Sequence, residues 1–281
     1  MSKTFTIYYP GKTFPAISIT GRECELQCEH CRGHYLRGML SADTPDRLLE
    51  VAHKIRADGA IGALISGGCD KYGRVPLKPF LSAIGQLHRE KLTLNIHSGL
   101  LDDDAARELV ETGADIFSVD LLQDEETIRE KLHLNAGPED YERTIDSLAS
   151  AGASVVPHVC VGLQSTESED QCIRVLQRSD IVSIVALALM PIPGESPLID
   201  IDERLVRFVE RASQTSVPVL VGCMRPRGKW EMEVKCILAG AAGMVSPSLK
   251  TIKWLEENGY EIIERKVCCS LHKMATDYSL V

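Results

Sequence analysis

The sequence lacks any apolar run long enough to cross a bilayer. Its most hydrophobic stretch, Ile181–Met190, is about half the length a spanning helix needs and stops at Pro191, so it reads as a buried strand. The start, Met-Ser-Lys-Thr-Phe-Thr-Ile-Tyr-Tyr, has no signal-peptide pattern, and the expected compartment is the cytoplasm. An excess of positive charge is missing as well. Forty acidic against 31 basic residues give a net charge of −9, which repels phosphate backbones and anionic lipid, so neither nucleic acid nor membrane is an expected partner. There is no low-complexity linker and no near-identical internal repeat, so no domain boundary is drawn within residues 1–281. What remains is ordinary globular material, 44% hydrophobic and 25% charged, in a 281-residue chain able to bury one large core.

Segments of buried-strand character recur along the chain: Ala16–Thr20, Gly62–Ser66, Leu92–His97, Ile116–Asp120, Val155–Leu163, Ile184–Met190, Val217–Val221 and Gly243–Ser246. Between most of them lie stretches of helical period, Asp46–Arg56, Asp103–Glu111, Asp140–Ala151, Asp170–Arg178, Asp202–Gln214 and Glu231–Ala239. Alternation of strand and helix is the grammar of a parallel α/β fold. Eight such units predict a (β/α)8 TIM-type barrel with a core of about residues 14–248, although a partial barrel of six units with a differently folded tail fits the same pattern. Thr4–Tyr9 is expected to cap the barrel bottom or add an edge strand. A further helix, Leu249–Asn258, opens a C-terminal extension, 249–281, expected to return to the barrel mouth. In either barrel the chemistry belongs at the C-terminal ends of the strands.

Ten cysteines in a reducing compartment point to metal binding, catalysis or core filling rather than disulfides. Three of them, Cys24, Cys28 and Cys31, stand directly after the first predicted strand in a C-x3-C-x2-C run. Three thiolates so spaced can wrap one [4Fe–4S] cube, leaving its fourth iron open to another ligand. A zinc site is the alternative, with His30 or His34 as a fourth ligand.

This run, with His30 before its last cysteine, resembles that of the radical S-adenosylmethionine superfamily. The resemblance implies an open-iron [4Fe–4S] cluster and S-adenosylmethionine, whose amino and carboxylate groups chelate that iron. Cleavage of the sulfonium then yields a 5′-deoxyadenosyl radical that abstracts hydrogen from unactivated carbon. Further motifs follow in the family's order. Ser66-Gly67-Gly68-Cys69-Asp70 stands where the family commonly has Gly-Gly-Glu. Its glycines would let backbone carbonyls approach the cofactor ammonium, with Asp70 or backbone oxygens replacing the missing acid. Pro157–Leu163, with Gly162 and Leu163, looks like the strand on which adenine packs, and Met190–Leu198, with Pro191 and Ile192, is similar to a Pro-x-Pro-Gly-Thr-Pro segment of biotin-synthase-like members. Asn95, His97 and Ser98, then Ser118 and Asp120, end two strands and are expected to face the mouth. Asp120 suits the cofactor's ribose hydroxyls and Arg129 its carboxylate, though each equally suits a structural role.

Seven cysteines remain. Cys172 and Cys236 fall within helical patterns and read as core, and Cys160 is ambiguous in mid-strand. Cys69 and Cys223 each follow a glycine at a strand end, and the tail adds adjacent Cys268 and Cys269, which form a strained disulfide at best. Cys69, Cys223 and one or both tail cysteines are candidates for a second, auxiliary iron–sulfur cluster able to give up sulfide to a carbon radical; free or merely packing thiols are the alternative.

From Phe14 to Cys269 the motif order resembles archaeal-type homologues of biotin synthase, among them the partner proteins of split lipoyl synthases. An N-terminal cysteine motif of the single-chain lipoyl synthases is not seen before Cys24, which favours the split type. The resemblance implies a sulfurtransferase that inserts sulfur at unactivated C–H bonds, with an octanoylated lipoyl-carrier protein, a second radical enzyme and an electron donor such as ferredoxin or flavodoxin as partners. Methylation, rearrangement or cofactor assembly with one cluster is a second expectation, and a zinc-stabilised binding protein a third.

Overall fold

A computed structural model describes residues 3–194, 196 and 198–274. Among the described residues eleven strands form one sheet, and every ladder in it is parallel. In chain order they are β1 (Lys3–Tyr8), β2 (Ala16–Ser18), β3 (Leu40–Ser41), β4 (Gly62–Ser66), β5 (Thr93–His97), β6 (Ile116–Asp120), β7 (Val155–Val161), β8 (Ile184–Ala188), β9 (Val219–Val221), β10 (Gly243–Val245) and β11 (Tyr260–Arg265). The eight predicted strands correspond to β2 and β4–β10. The helices are α1 (Pro45–Ala57), α2 (Leu81–Arg89), α3 (Asp103–Val110), α4 (Pro138–Ser150), α5 (Thr166–Arg178), α6 (Ile201–Ala212), α7 (Trp230–Leu238) and α8 (Leu249–Glu257).

The sheet runs β11-β1-β10-β9-β8-β7-β6-β5-β4-β2-β3 and curls into a partial barrel. The closed eightfold barrel is thereby replaced by its open alternative, because β1 takes the place beside β10 that β2 would need. β1 itself is neither cap nor edge: β11 lies outside it over the full length Lys3–Tyr8. Between the two ends of the sheet, the Thr13 hydroxyl donates to the Lys266 carbonyl at 2.6 Å.

Helix starts follow local chemistry. Thr44 caps α1 ahead of Pro45, and Asp102, Ser165 and Ser248 cap α3, α5 and α8, each side-chain oxygen accepting a backbone N–H from the first turn. Such caps contribute about 1 kcal/mol each.

Alternation along the strands separates two apolar layers. Leu94, Ile96, Phe117, Val119, Val159, Ala186 and Val221 lie in the larger cluster, shared with the helices. Ile116, Val156, Val185, Leu220 and Val245 face the other way and form the barrel interior with Tyr8 and Phe14. The tail enters that interior. After β11, Val267, Cys269 and Leu271 pack among those residues, with Cys269–Leu271 in a single helical turn. Tyr8 Oη and His272 Nδ1 share a hydrogen bond there, and Arg265 donates to the His272 carbonyl at 3.0 Å. The tail returns to the barrel as expected and goes deeper than the mouth.

Candidate metal centre

The three-cysteine loop leaves β2 and is tied down on both sides. Ile19 N–H donates to Ser66 O, and the Thr20 hydroxyl donates to Glu23 O while accepting Gly68 N–H, at 2.8, 2.8 and 2.7 Å. Glu25 N–H reaches Cys69 O and Glu29 N–H reaches Lys131 O, both at 2.8 Å. Inside the loop, Cys31 and Arg32 N–H groups converge on Cys28 O. Gln27 and Arg32 turn through positive φ (45° and 43°) to keep the loop compact.

Two of the thiols and one imidazole converge. Ligand atoms of Cys28, His30 and Cys31 lie within 4.8 Å of one another, the only such group of three among the described residues. Cys24 stands outside that knot, on the wall where Gly68 packs, yet its charge reaches Cys28. The Cys28 thiol, then the imidazole of His30, hold Cys31 down to about 4, while Cys28 is pushed up by the same hydrogen bond and by burial. His30 Nδ1 is buried with no hydrogen-bond partner among the described residues. Three soft donors on one loop, one poised as thiolate, fit an iron–sulfur cluster. The tight Cys28–His30–Cys31 knot alone would also suit a single zinc ion. His34 is not part of it and stacks edge-on against Tyr35.

The Gly67-Gly68 turn has a reason in the chain itself. A Cβ at Gly68 would sit 2.0 Å from Glu23 O and 2.6 Å from Cys24 Cβ, and one at Gly67 would crowd Thr20 at 3.1 Å. Only a side-chain-free turn lets β4 meet the cysteine loop this closely. Ser66 is buried and its hydroxyl donates to His97 O. Asp70 Oδ1 accepts the N–H groups of Tyr72 and Arg74 at 2.9 and 3.0 Å, closing its own loop. The electrostatic neighbours of Cys69 include Cys24 and Cys31; burial, then Cys24, push it up to about 12.

At the strand ends, His97 Nε2 lies 3.5 Å from Asp120 Oδ1, and the rings of His97 and His158 are 5.6 Å apart. Burial alone would lower His97, but the Asp120 carboxylate holds it above its ordinary value. Burial alone would raise Asp120, and the charges of His97, His158 and His30 hold it below the usual carboxylate range. His158 is pushed down to about 4 by burial and then by His97. No role was expected for His158; its place two residues before inward-facing Cys160 was the available signal. Arg129 does not join this group: it is exposed and paired with Glu125 at 2.6 Å one helical turn away. Gly162 lies just beyond β7 at φ 91°, with Leu198 and Ile201 packed over its α-carbon, and it is a turn rather than a strand residue. Leu163 and Ile192 are buried and Pro191 half-buried. Asn95 and Ser118 lie deeper than expected, buried at 1% and 2% exposure and bonded to each other at 2.9 Å.

A second thiol group sits at the tail. Cys268 and Cys269 are hydrogen-bonded side chain to side chain, and Cys223, on the loop after β9, is within electrostatic reach of both. Contact with Cys269, then with Ser270 and Asn95, holds Cys268 down to about 6 against its burial. The Cys223 loop is clamped by two arginines that belong to no motif. Buried Arg225 donates to Gly222 O at 2.8 Å and to Glu233 at 2.9 Å, and Arg227 donates to Cys223 O at 2.7 Å. Cys172 and Cys236 are fully buried core, as expected, and Cys160 is half-buried.

The profile described as Radical SAM superfamily matches residues 18–177, more than half of the chain. No curated protein sequence matches significantly. Among solved structures, HydG, a maturase of the [FeFe]-hydrogenase, is similar with a TM-score of 0.65 at 14% identity, over 98% of this chain and 68% of that one. Methylornithine synthase (PylB) gives 0.62 at 16% identity, over 92% and 83%. Streptococcus suis SuiB bound to S-adenosylmethionine gives 0.60 at 12%, with this chain covered to 98% and spanning 62% of SuiB. At these identities the likeness speaks for the fold. No helix among the described residues is long and apolar enough to cross a membrane.

Proposed function

Since the chain belongs to the radical SAM superfamily, we propose that Cys24, Cys28 and Cys31 hold a [4Fe–4S] cluster with S-adenosylmethionine on its open iron, and that the enzyme inserts sulfur at unactivated C–H bonds. Bound there, cluster and cofactor supply hydrogen abstraction, and the barrel positions the substrate carbon and excludes water. S-adenosylmethionine in the similar SuiB structure supports the cofactor. His97 and Asp120, an ion pair at the ends of β5 and β6, support this reading as a carboxylate that can be presented to hydroxyls.

The observation that carries the sulfur reading is the placing of Cys268 and Cys269, side by side in the tail, within electrostatic reach of Cys223 from the loop after β9, in the same barrel as the first thiols. In this reading they hold the auxiliary cluster, and Cys69 is assigned to the surroundings of the first one. The substrate we favour is an octanoyl chain on a lipoyl-carrier protein, worked on together with a second radical SAM protein and fed by a ferredoxin or flavodoxin. Exposed Leu198, packed over the turn at Gly162, suits such a chain. The test is incubation of an octanoyl-lysine peptide with the partner, reductant and S-adenosylmethionine. Mass spectrometry should find 5′-deoxyadenosine and a thiolated peptide; finding neither removes this substrate.

A one-cluster radical enzyme is the second reading, favoured by the packing of Cys269 among Tyr8, Val185 and Leu271 as an ordinary core residue. Full activity after replacing Cys223, Cys268 and Cys269 would select it.

A further inference from the structure

Asn95 was expected to serve S-adenosylmethionine at the mouth, but it sits in the middle of β5 with 1% of its surface exposed. Its Oδ1 accepts the Ser118 hydroxyl at 2.9 Å, and its Nδ2 donates to Cys268 Sγ at 3.6 Å. Ser118 Oγ also lies 3.3 Å from Ser270 Oγ, and Cys268 Sγ lies 3.6 Å from that same Ser270 Oγ. Four polar side chains from β5, β6 and the tail thus form a closed ring inside an interior otherwise built from Ile116, Val156, Val185 and Leu220. A buried ring of this kind is costly unless every member is satisfied, and packing alone would be served better by apolar side chains. Its geometry has a direction. A thiolate or a metal-bound thiolate can only accept, and the ring turns the amide N–H of Asn95 toward the sulfur and its carbonyl toward a hydroxyl.

We propose that Asn95 is a positioning residue for Cys268: it holds the tail sulfur by an N–H···S bond and sets the reduction potential of the cluster that this sulfur ligates. The assignment rests on the reading of Cys223, Cys268 and Cys269 as ligands of a second cluster. An N–H donor to a ligating sulfur stabilises the more negative, reduced state and so raises the potential. Ser118 is the second link, because its hydroxyl fixes which face of the amide meets Cys268.

The experiment uses the full-length chain with Cys24, Cys28 and Cys31 replaced by Ala, reconstituted anaerobically so that only a second cluster can form. Its potential is read by an EPR-monitored redox titration, alone and with Asn95→Leu or Ser118→Ala added. The expected result is a shift to more negative potential in Asn95→Leu and a smaller shift of the same sign in Ser118→Ala. Iron content and circular dichroism must match the parent; if Asn95→Leu does not fold, Ser118→Ala alone decides. An unchanged potential with the cluster present overturns the role of Asn95 and leaves the second cluster standing. A parent chain that binds no iron overturns the second cluster itself, and the inference falls with it.

Discussion

The two thiol groups of this barrel are built in opposite ways. Cys24, Cys28 and Cys31 lie on one short loop, held mainly by backbone hydrogen bonds to the neighbouring β4 and Lys131 segments. Cys223, Cys268 and Cys269 come from the loop after β9 and from the far end of the chain, and they are held by side chains: Arg225 and Arg227 on one side, Asn95, Ser270 and His272 on the other. A site made of near neighbours in sequence costs little chain entropy to assemble, whereas a site joining remote segments depends on everything between them being folded. The first should tolerate distant damage that the second does not.

The largest effect tests the first site. Replacing Cys24, Cys28 and Cys31 with Ala should abolish formation of 5′-deoxyadenosine and lower iron and acid-labile sulfide without removing them; complete loss of iron would mean that there is one site, not two. Replacing Cys223, Cys268 and Cys269 should instead leave S-adenosylmethionine cleavage measurable while ending sulfur transfer, as followed by chromatography of both products.

Next comes Arg225→Ala. It leaves Glu233 buried without its cation, a loss of about 3–5 kcal/mol for a buried pair, seen as a large fall in Tm. Iron at the second site should fall with it while the first site keeps its share. Equal loss from both would erase the contrast. Gly68→Ala is the mirror experiment. Its methyl group would collide with Glu23 O, and overpacking of this kind costs about 1–3 kcal/mol, here with preferential loss of the first cluster.

The smallest effect is one of pH. His272 is pushed down to about 4 by burial and then by Arg265 and Lys273, so the docked tail holds it neutral. Its folded value lies below its free value of about 6.5. The stability it confers is therefore complete above that pH and is lost as pH falls toward about 4. Hydrogen exchange of residues 267–274 should rise in that window before the cysteine loop responds, and His272→Gln should flatten the dependence.

Much of this architecture was readable in advance because its causes are local. Strands buried on both faces must be apolar throughout, and β4 to β10 announce themselves in that way. Two strands carry no such signal: β11, at one edge of the sheet, where Tyr-Glu-Ile-Ile-Glu-Arg can keep charged residues, and β3, at the other edge and only two residues long. Helix α2 was missed for a related reason: it is short and has Gly85 at its centre. Among the site residues, Asp70 and Arg129 are legible only by residue type, and each has a partner in its own segment, because a carboxylate or guanidinium serves a turn as well as a ligand. At Gly67 and Gly68 the sequence announces a close approach, and the one seen is that of the cysteine loop.

What the amino-acid order determined by itself is therefore the α/β repeat and the cysteine triad, since both depend on spacings within one or two elements. Whether the barrel closes, where the tail goes and which cysteines meet were decided only in three dimensions. β1 beside β10 opens the barrel, and the apolar interior left there is filled by Val267, Cys269 and Leu271. That burial brings Cys268 to Asn95, 173 residues away in the chain. Burial of apolar surface has no memory of sequence distance, and so no local pattern could announce where the tail would settle.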